Sequence, residues 1–173
     1  MILRPLTTED RPEAVKAHRE LALDDFDFLL DSLGKYDEMG DWAAYLDRLD
    51  SVRRGENVPD GWVPSTFLVA EVDGRIIGRV SIRHELNAYL EMRAGHIGYG
   101  IRPEFRGRGY ATQILLRALQ LVRDLGVQRV LVTCNDANVV SSKVIEKCGG
   151  ILENIIDADD GERVRRYWFA APE

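Results

Sequence analysis

The stretch from Ile97 to Ala111 constrains the fold of this chain more than any other part of it. It reads IGYGIRPEFRGRGYA, which is an apolar strand, a turn that begins with proline, and a loop that contains two glycines. From Ala111 to Leu125 apolar residues recur every three or four positions, and this spacing predicts an amphipathic helix. The strand, the loop and the helix together place a helix N-terminus close to the end of a buried strand.

The loop before this helix has the composition of an anion site. Gly107 and Gly109 alternate with the cations Arg106 and Arg108. The first N–H groups of a helix have no partner within it and carry partial positive charge, and glycines let a ligand approach the backbone closely. The loop therefore predicts a site for a phosphate or a pyrophosphate. The alternative is that the two glycines serve only a tight turn.

The whole chain has the size and composition of one globular domain, 1–173. An apolar content of 45% is enough for a core, and a charged content of 30% is ordinary for a folded protein. The net charge of −6 argues against nucleic acid as the main partner, because phosphate backbones bind basic surfaces. No apolar run is long enough to cross a bilayer and no signal-peptide core is present, so we expect a cytoplasmic protein that does not bind membranes. We predict no metal site.

The order of predicted elements indicates an α/β (α+β) fold. The turn residues Asp73 and Gly74 lie between two runs rich in β-branched residues, which is a strong hairpin signal. We expect a mixed, mostly antiparallel central sheet of six to seven strands with helices on both faces. The elements in order are a strand at 2–6, helices at 7–22 and 41–49, the hairpin at 66–83, a strand at 95–101, the long helix ending at Gly126, a strand at 130–134, a helix capped by Asn138, and strands at 151–156 and 163–170.

At the strand-to-helix loop, Arg106-x-x-Gly109-x-Ala111 resembles the acyl-CoA-binding signature of the GNAT acetyltransferase superfamily. That signature is Gln or Arg, two residues, Gly, one residue, then Gly or Ala. The chain also has Asn138-x-x-Ser141 in the next helix and Ile-Gly-Tyr in the strand, a pattern similar to the ribosomal-protein N-terminal acetyltransferases. The resemblance is strong from about residue 95 to 153 and covers the whole chain in the order of its elements.

The resemblance implies a reaction and a co-substrate. It implies an acetyl-CoA-dependent N-acetyltransferase that transfers the acetyl group to a primary amine by direct attack on the thioester. The strands at 95–101 and 130–134 are expected to splay apart, with the pantetheine arm between them and the pyrophosphate on the loop N–H groups. The residues expected to bind the co-substrate are Gly100, Ile101, Arg102, Arg106, Gly107, Arg108, Gly109, Tyr110, Ala111, Thr112, Asn138 and Ser141.

The sequence leaves several candidates for each catalytic group. Many relatives place a Tyr acid where this chain has Ile145, so the alternative function is a non-catalytic acyl-CoA-binding or regulatory module. Ser141 is the candidate donor to the CoA sulfur, and its alternative role is to bond backbone groups in the first helical turn. His96 and Glu91 are candidates for the general base, with Glu85 and His84 as further options. Desolvation of the bound amine is an alternative that needs no strong base.

If Gly98 and Gly100 face the co-substrate, strand alternation puts His96 on the same face and Tyr99 on the other, unless a bulge reverses this.

The acceptor, an amine on a small molecule or a peptide, is the least constrained partner. Four aspartates, Asp24, Asp25, Asp27 and Asp31, would suit a cationic acceptor, or else they form a solvated acidic face. Three aromatic residues either line the acceptor pocket or belong to the core: Phe26, Phe28 and Trp42. A homodimer is possible, since exposed strand edges of such folds often pair.

Overall fold

The computed structural model describes residues 1–30, 41–158 and 161–170, and within these ranges the predicted order of elements is confirmed. The strands are β1 (Ile2–Arg4), β2 (Ser65–Val72), β3 (Arg75–Arg83), β4 (Ile97–Ile101), β5 (Val130–Asn135), β6 (Ile151–Asp157) and β7 (Arg163–Phe169). The helices are α1 (Arg11–Ala22), α2 (Trp42–Arg53), α3 (Tyr110–Asp124) and α4 (Val139–Lys147). Short helical turns lie at Thr8–Asp10, Leu90–Ala94 and Pro103–Phe105.

The strands form two sheets, and the expectation of one central sheet of six to seven strands is wrong. An antiparallel sheet has the order β1-β2-β3-β4, and a second antiparallel sheet has the order β5-β7-β6. The β2–β3 hairpin turns at Asp73 and Gly74, as predicted. The division falls between β4 and β5, the two strands that were expected to splay apart.

The two sheets meet at His96, directly before β4. Its backbone N–H donates to the Leu131 carbonyl oxygen at 2.7 Å, and the Leu131 N–H donates to the His96 ring atom Nδ1 at 3.0 Å. A side chain thus replaces the carbonyl that a regular strand pair would supply. Beyond this point β4 and β5 continue in separate sheets, and a gap opens between them.

Helices cover both faces of the four-stranded sheet, as expected. Buried residues of α1 and α2 pack with Phe67, Val69 and Ile76 on one face. On the other face α3 packs its apolar side, including Ile114 and Ala118, against β3 and β4. Leu121 and Leu125 of the predicted apolar stripe are exposed to 36% and 49%, so the stripe is narrower than its spacing suggested. In the described ranges, every helix is too short or too polar to cross a membrane.

Asp10 connects the turn before α1 to Arg4 of β1, and its replacement by asparagine is expected to destabilise the fold. Its carboxylate accepts two hydrogen bonds from the Arg4 guanidinium, at 2.6 and 2.8 Å, and one from the Thr7 N–H at 2.7 Å. Burial alone would raise the pKa of Asp10, but the bonds from Arg4 and Thr7 outweigh it and hold the pKa below its usual value. Near neutral pH, Asp10→Asn should lower the free energy of unfolding by about 2 kcal/mol.

This cost should depend on pH. A carboxyl group whose pKa is lower in the folded state stabilises the fold above its unfolded pKa and loses that contribution as pH falls through the folded pKa. Urea unfolding of both proteins should therefore show a difference that shrinks below about pH 4. A difference that stays constant down to about pH 2 would contradict the role of the Asp10 charge.

Candidate active site

A cleft of about 370 Å³ lies where the two sheets separate, and we call it the donor cleft. The end of β4, the glycine loop, the start of α3 and the start of α4 form its walls. The segment after α1 closes one side. Its lining residues are Leu21, Asp24, Phe26, Tyr99, Gly100, Ile101, Phe105, Arg106, Gly107, Gly109, Tyr110, Ala111, Asn138, Val140, Ser141 and Val144.

The glycine loop presents unpaired backbone donors at the mouth of this cleft. Gly107 and Gly109 have φ values of +73° and +78°, a region that glycine adopts without strain. Gly109 is also the N-cap of α3, and glycine has no side chain that could bond the first N–H groups of the helix. The N–H of Arg106 already donates to the Pro103 carbonyl at 3.2 Å, so the donors available to an anion begin at Gly107.

The end of β4 presents further backbone donors to the gap. The residues on either side of β4 both form backbone hydrogen bonds with β3. The His96 carbonyl oxygen accepts from the Arg83 N–H at 2.8 Å, and the Arg102 N–H donates to the Ile77 carbonyl oxygen at 2.9 Å. Bonded and non-bonded positions alternate along an antiparallel strand, so the N–H groups of Tyr99 and Ile101 point away from β3 and towards β5. In the folded chain these groups can stabilise negative charge on an oxygen placed in the gap.

Tyr99 and Ser141 meet inside the donor cleft. The Tyr99 phenol oxygen and the Ser141 hydroxyl oxygen are 3.2 Å apart, while the Ser141 N–H is capped by the Asn138 side chain at 3.0 Å. The Ser141 hydroxyl therefore points into the cleft, away from the backbone of its own helix. Burial raises the pKa of Tyr99 to about 12, although the Ser141 bond opposes the rise, so the phenol stays protonated at neutral pH.

Of the two faces of β4 that the sequence left open, the one that carries the Tyr99 side chain lies towards α4. The side chain of Tyr99 faces α4 and the cleft, whereas a Cβ added to Gly100 would lie 2.5 Å from the Phe26 ring on the opposite face. Phe26 fills the space that a side chain at position 100 would need, whereas a Cβ at position 98 would be in ordinary contact with Arg83. Sequence reasoning used Tyr99 only as part of the Ile-Gly-Tyr pattern of the strand and did not assign it a role in the reaction.

The structure places Arg102 away from the cleft, in contrast to its predicted role in binding. Its side chain is fully buried and bonds Glu20 at 2.8 Å, Glu13 at 3.0 Å and the Ile76 carbonyl oxygen at 2.7 Å. The guanidinium connects β4 to α1 and has no free face for a ligand. Two other predicted binding residues, Arg108 and Thr112, also do not line the cleft. Arg108 is exposed near the Phe105 ring, and Thr112 is half-buried.

The predicted general bases do not come together at the cleft. The Nδ1 atom of the buried His96 accepts a hydrogen bond from the Leu131 N–H. In the neutral ring Nε2 therefore carries the hydrogen, and neither nitrogen is free to take a proton. Burial also lowers the pKa of His96. The prediction that His96 is the general base is therefore corrected, and its role is to connect the two sheets. Glu91 is exposed in the turn at Leu90–Ala94 and Glu85 is exposed in the preceding loop. His84 bonds the Thr66 hydroxyl at 2.9 Å.

The aspartates and aromatic residues after α1 separate into different roles. Asp24 forms an ion pair with Arg106 at 2.7 Å across the mouth of the cleft, and Asp31 lies outside the described residues. Phe26 lines the cleft beside Gly100, whereas Phe28 and Trp42 are buried in the core beneath α1 and α2. The nine predicted binding residues that line the cleft are Gly100, Ile101, Arg106, Gly107, Gly109, Tyr110, Ala111, Asn138 and Ser141.

Solved structures with the same fold are acetyltransferases. The acetyltransferase that modifies the N-terminal serine of ribosomal protein L7/L12 from Salmonella typhimurium is 18% identical, with a TM-score of 0.67 over 98% of this chain and 94% of its own. The microcin C7 self-immunity acetyltransferase MccE, solved with acetyl-CoA and AMP, is 16% identical, with a TM-score of 0.67 over 97% and 91%. A chimeric spermidine N-acetyltransferase SpeG from Vibrio cholerae and hSSAT is 20% identical, with a TM-score of 0.63 over 98% and 96%.

These likenesses show the fold, and a family model identifies the chain. The model described as an acetyltransferase (GNAT) domain matches residues 1–151. That range contains both helices before the hairpin, the whole four-stranded sheet, the glycine loop and α4. As its loop and helix motifs predicted, the chain belongs to the GNAT family of acetyltransferases.

Proposed function

We propose that this protein transfers the acetyl group of acetyl-CoA to a primary amine, and that the donor cleft holds the acetyl-CoA. The observation that carries the proposal is the convergence of three elements on one cleft: the uncapped start of α3, the outward N–H groups of β4 and the Tyr99–Ser141 pair. MccE, which shares the fold, was solved with acetyl-CoA.

The donor cleft offers fitting groups for the pyrophosphate and the pantetheine arm of acetyl-CoA. The N–H groups from Gly107 into the first turn of α3 suit the pyrophosphate, and Arg106 adds positive charge beside them. Val140 is exposed to 76% at the start of α4, and an apolar side chain this exposed on a cleft wall suits the pantetheine arm. When bound, acetyl-CoA supplies an activated acetyl thioester.

The protein residues around the thioester position provide charge stabilisation and a proton. The N–H groups of Tyr99 and Ile101 stabilise charge that develops on the thioester oxygen. The Tyr99 hydroxyl, held by Ser141, supplies a proton or hydrogen bond to the departing sulfur. This arrangement provides the phenol that many relatives place in the helix, where this chain has the buried Ile145, and it favours an enzyme over a module that only binds acyl-CoA.

Calorimetry with acetyl-CoA, followed by a thiol-release assay over a panel of primary amines, tests the proposal. We expect a Kd below about 50 µM and release of CoA only when an amine is present. Failure to bind acetyl-CoA would overturn the proposal. Binding without thiol release from any amine would favour the alternative of a non-catalytic acyl-CoA-binding module.

Arg106→Gln is expected to weaken acetyl-CoA binding about tenfold, because it removes a charge-assisted contact with the pyrophosphate. Calorimetry at low and high salt measures this effect, and the salt dependence of the variant should be smaller than that of the parent. Arg117→Gln removes an exposed cation from α3, the helix that follows this loop, and serves as the matched control. Equal effects of the two substitutions would show that Arg106 contributes only net charge.

The described residues contain no cluster of three or more metal-ligating side chains, and the proposed reaction needs none. A cytoplasmic location, a possible homodimer and the lack of a nucleic-acid partner stay predictions from the sequence.

A further inference from the structure

Two arginines of β3 occupy the face of the sheet opposite Tyr99. Arg79, Ser81 and Arg83 alternate along β3, so their side chains share one face. In the register of the sheet Arg79 pairs with Gly100 and Ser81 pairs with Gly98. Residues that lie opposite each other in an antiparallel pair project to the same side. Both arginines therefore extend over a strip of β4 that has no side chains.

These arginines lack the carboxylate partners that buried arginines usually have. Arg79 is 6% exposed, and its guanidinium bonds the Asp27 carbonyl oxygen at 2.6 Å and stacks on the Phe26 ring at 4.4 Å. Its Nε is buried without a hydrogen-bond partner among the described residues. Arg83 bonds the carbonyl oxygens of Ala94 and Gly95, at 3.1 and 3.2 Å. Within the described ranges, neither guanidinium forms an ion pair.

Arg102 shows how this chain treats a buried cation that serves only the fold. Its guanidinium has Glu13 and Glu20 as close partners. Burying a cation without an anion costs several kcal/mol, and proteins rarely retain such a group without a ligand or a partner. Burial lowers the pKa of Arg79 to about 9, with Arg83 adding to the effect, so Arg79 is still cationic at neutral pH. The pair is thus a positive site without an ion-paired carboxylate among the described residues, and the nearby charge of Asp27 offsets it only in part.

Arg79 contacts a wall residue of the donor cleft, and Arg83 lines a second pocket. Phe26 lines the donor cleft and stacks on Arg79, while a Cβ added to Gly98 would lie 3.5 Å from Arg83 and 3.9 Å from Arg79. Arg83 then lines a pocket of about 280 Å³, whose other walls include Trp62, Val63, Ser65, Ser81, Tyr89 and Leu90. The strip of β4 at Gly98 and Gly100 therefore runs from the expected thioester position to a small pocket with a cation at its edge.

We propose that the acceptor is a small amine that also carries an anionic group, a carboxylate or a phosphate, and that Arg79 and Arg83 bind this group. The inference rests on the proposed N-acetyltransferase function. A second cationic group on the acceptor would be repelled by the two arginines. The same positive field disfavours the ammonium form of the acceptor amine and so promotes the neutral form that attacks, which reduces the need for a general base.

Matched pairs of amines in the thiol-release assay test this inference. The panel holds an amino carboxylic acid and its amide, an aminoalkyl phosphate and the corresponding amino alcohol, and spermidine. We expect kcat/KM to be at least about tenfold higher for the anionic member of at least one pair, and the preferred pair shows whether the group is a carboxylate or a phosphate. Equal or faster turnover of the neutral members or of spermidine would overturn the inference. Turnover of no anionic amine by protein that binds acetyl-CoA would also overturn it, whereas loss of acetyl-CoA binding is a failure of the proposed function.

Arg83→Gln separates charge recognition from damage to the fold. It should raise KM for the preferred anionic amine at least about tenfold and leave its neutral partner within about twofold. Arg54→Gln, at an exposed arginine after α2, makes the same change in net charge away from the site and should preserve the preference. An equal loss for both members of the pair, or a retained preference in Arg83→Gln, would overturn the assignment.

Discussion

Replacing Tyr99 with phenylalanine is expected to lower kcat about 100-fold while changing the Kd for acetyl-CoA less than about threefold. The substitution keeps the ring that packs in the core and removes only the hydroxyl that meets Ser141 at 3.2 Å. If this hydroxyl stabilises the sulfur as it departs, its loss affects the reaction and not the binding of acetyl-CoA. Steady-state thiol release and calorimetry measure the two quantities separately.

Ser141 should matter less, because it acts on sulfur through Tyr99. Ser141→Ala removes the group that orients the phenol, and we expect kcat to fall about tenfold. The double variant should be no slower than Tyr99→Phe alone by more than about twofold, since Ser141 has nothing to orient once the hydroxyl is gone. Additive losses in the double variant would show that Ser141 donates its own proton to the sulfur.

A second buried tyrosine provides the control. Tyr167 in β7 is fully buried and its hydroxyl donates to Glu146 at 2.9 Å, away from the donor cleft. Tyr167→Phe removes a comparable hydroxyl and should leave kcat within about twofold. If Tyr99→Phe and Tyr167→Phe behave alike, the phenol in the cleft has no part in the reaction.

The pH dependence of the rate should follow the acceptor amine and not Tyr99. Burial raises the pKa of Tyr99 to about 12, so the phenol keeps its proton throughout the usual assay range. The rate should rise with pH as the amine loses its proton, without a fall below about pH 10. A fall between about pH 8 and pH 10 would indicate an acid with a lower pKa than Tyr99 has here.

The elements of this fold could be predicted because their signals are local. The turn at Asp73 and Gly74, the cap at Asn138 and the apolar spacing of α3 each depend on residues within one or two turns of chain. The glycine loop likewise carries its own chemistry in sequence. The division into two sheets could not be read in this way, because it depends on His96 meeting Leu131 across 35 positions of the chain.

The face of β4 that carries the reactive group depends on distant packing. Alternation predicts two faces but does not tell which one faces the cleft. The choice follows from Phe26, which fills the space above Gly100, and from the two arginines of β3, which lie beside Gly98. This long-range packing places Tyr99 towards the cleft, which the sequence could not predict, and it also forms the positive site on the opposite face. Both sides of the proposed reaction thus depend on one strand, with the phenol on one face and the anion site on the other.

Arg102 shows most clearly how residue type alone misleads. An arginine next to a glycine loop suggests a phosphate ligand, but its partners Glu13 and Glu20 come from α1, more than 80 positions away. Hydrogen bonds from Arg102 are the main cause that lowers the pKa of Glu20, which marks the pair as a strong interaction in the folded state. The corrected role leads to a stability prediction.

Arg102→Met is expected to lower the free energy of unfolding by about 3 kcal/mol, because it removes a buried cation and leaves two carboxylates and the Ile76 carbonyl oxygen without their partner. The value is at the lower end for a buried ion pair, since Glu13 and Glu20 retain 30% and 29% side-chain exposure and water screens them in part. For a chain of this length, the melting temperature should fall by roughly 6–12 °C.

Arg75 provides a matched control for the Arg102 prediction. Arg75 pairs with Glu104 at 2.7 Å, but both side chains are nearly half exposed. Arg75→Met should cost less than about 1 kcal/mol, so urea unfolding of the two variants compares the same residue type in buried and exposed pairs. The loss of unfolding free energy in Arg102→Met should shrink as pH falls below about 4. The pKa of Glu20 is lowered in the folded state, so its carboxylate stabilises the fold only while it is ionised. If Arg102→Met costs no more than Arg75→Met but weakens acetyl-CoA binding as Arg106→Gln does, Arg102 binds the co-substrate and the connection between β4 and α1 does not depend on its charge.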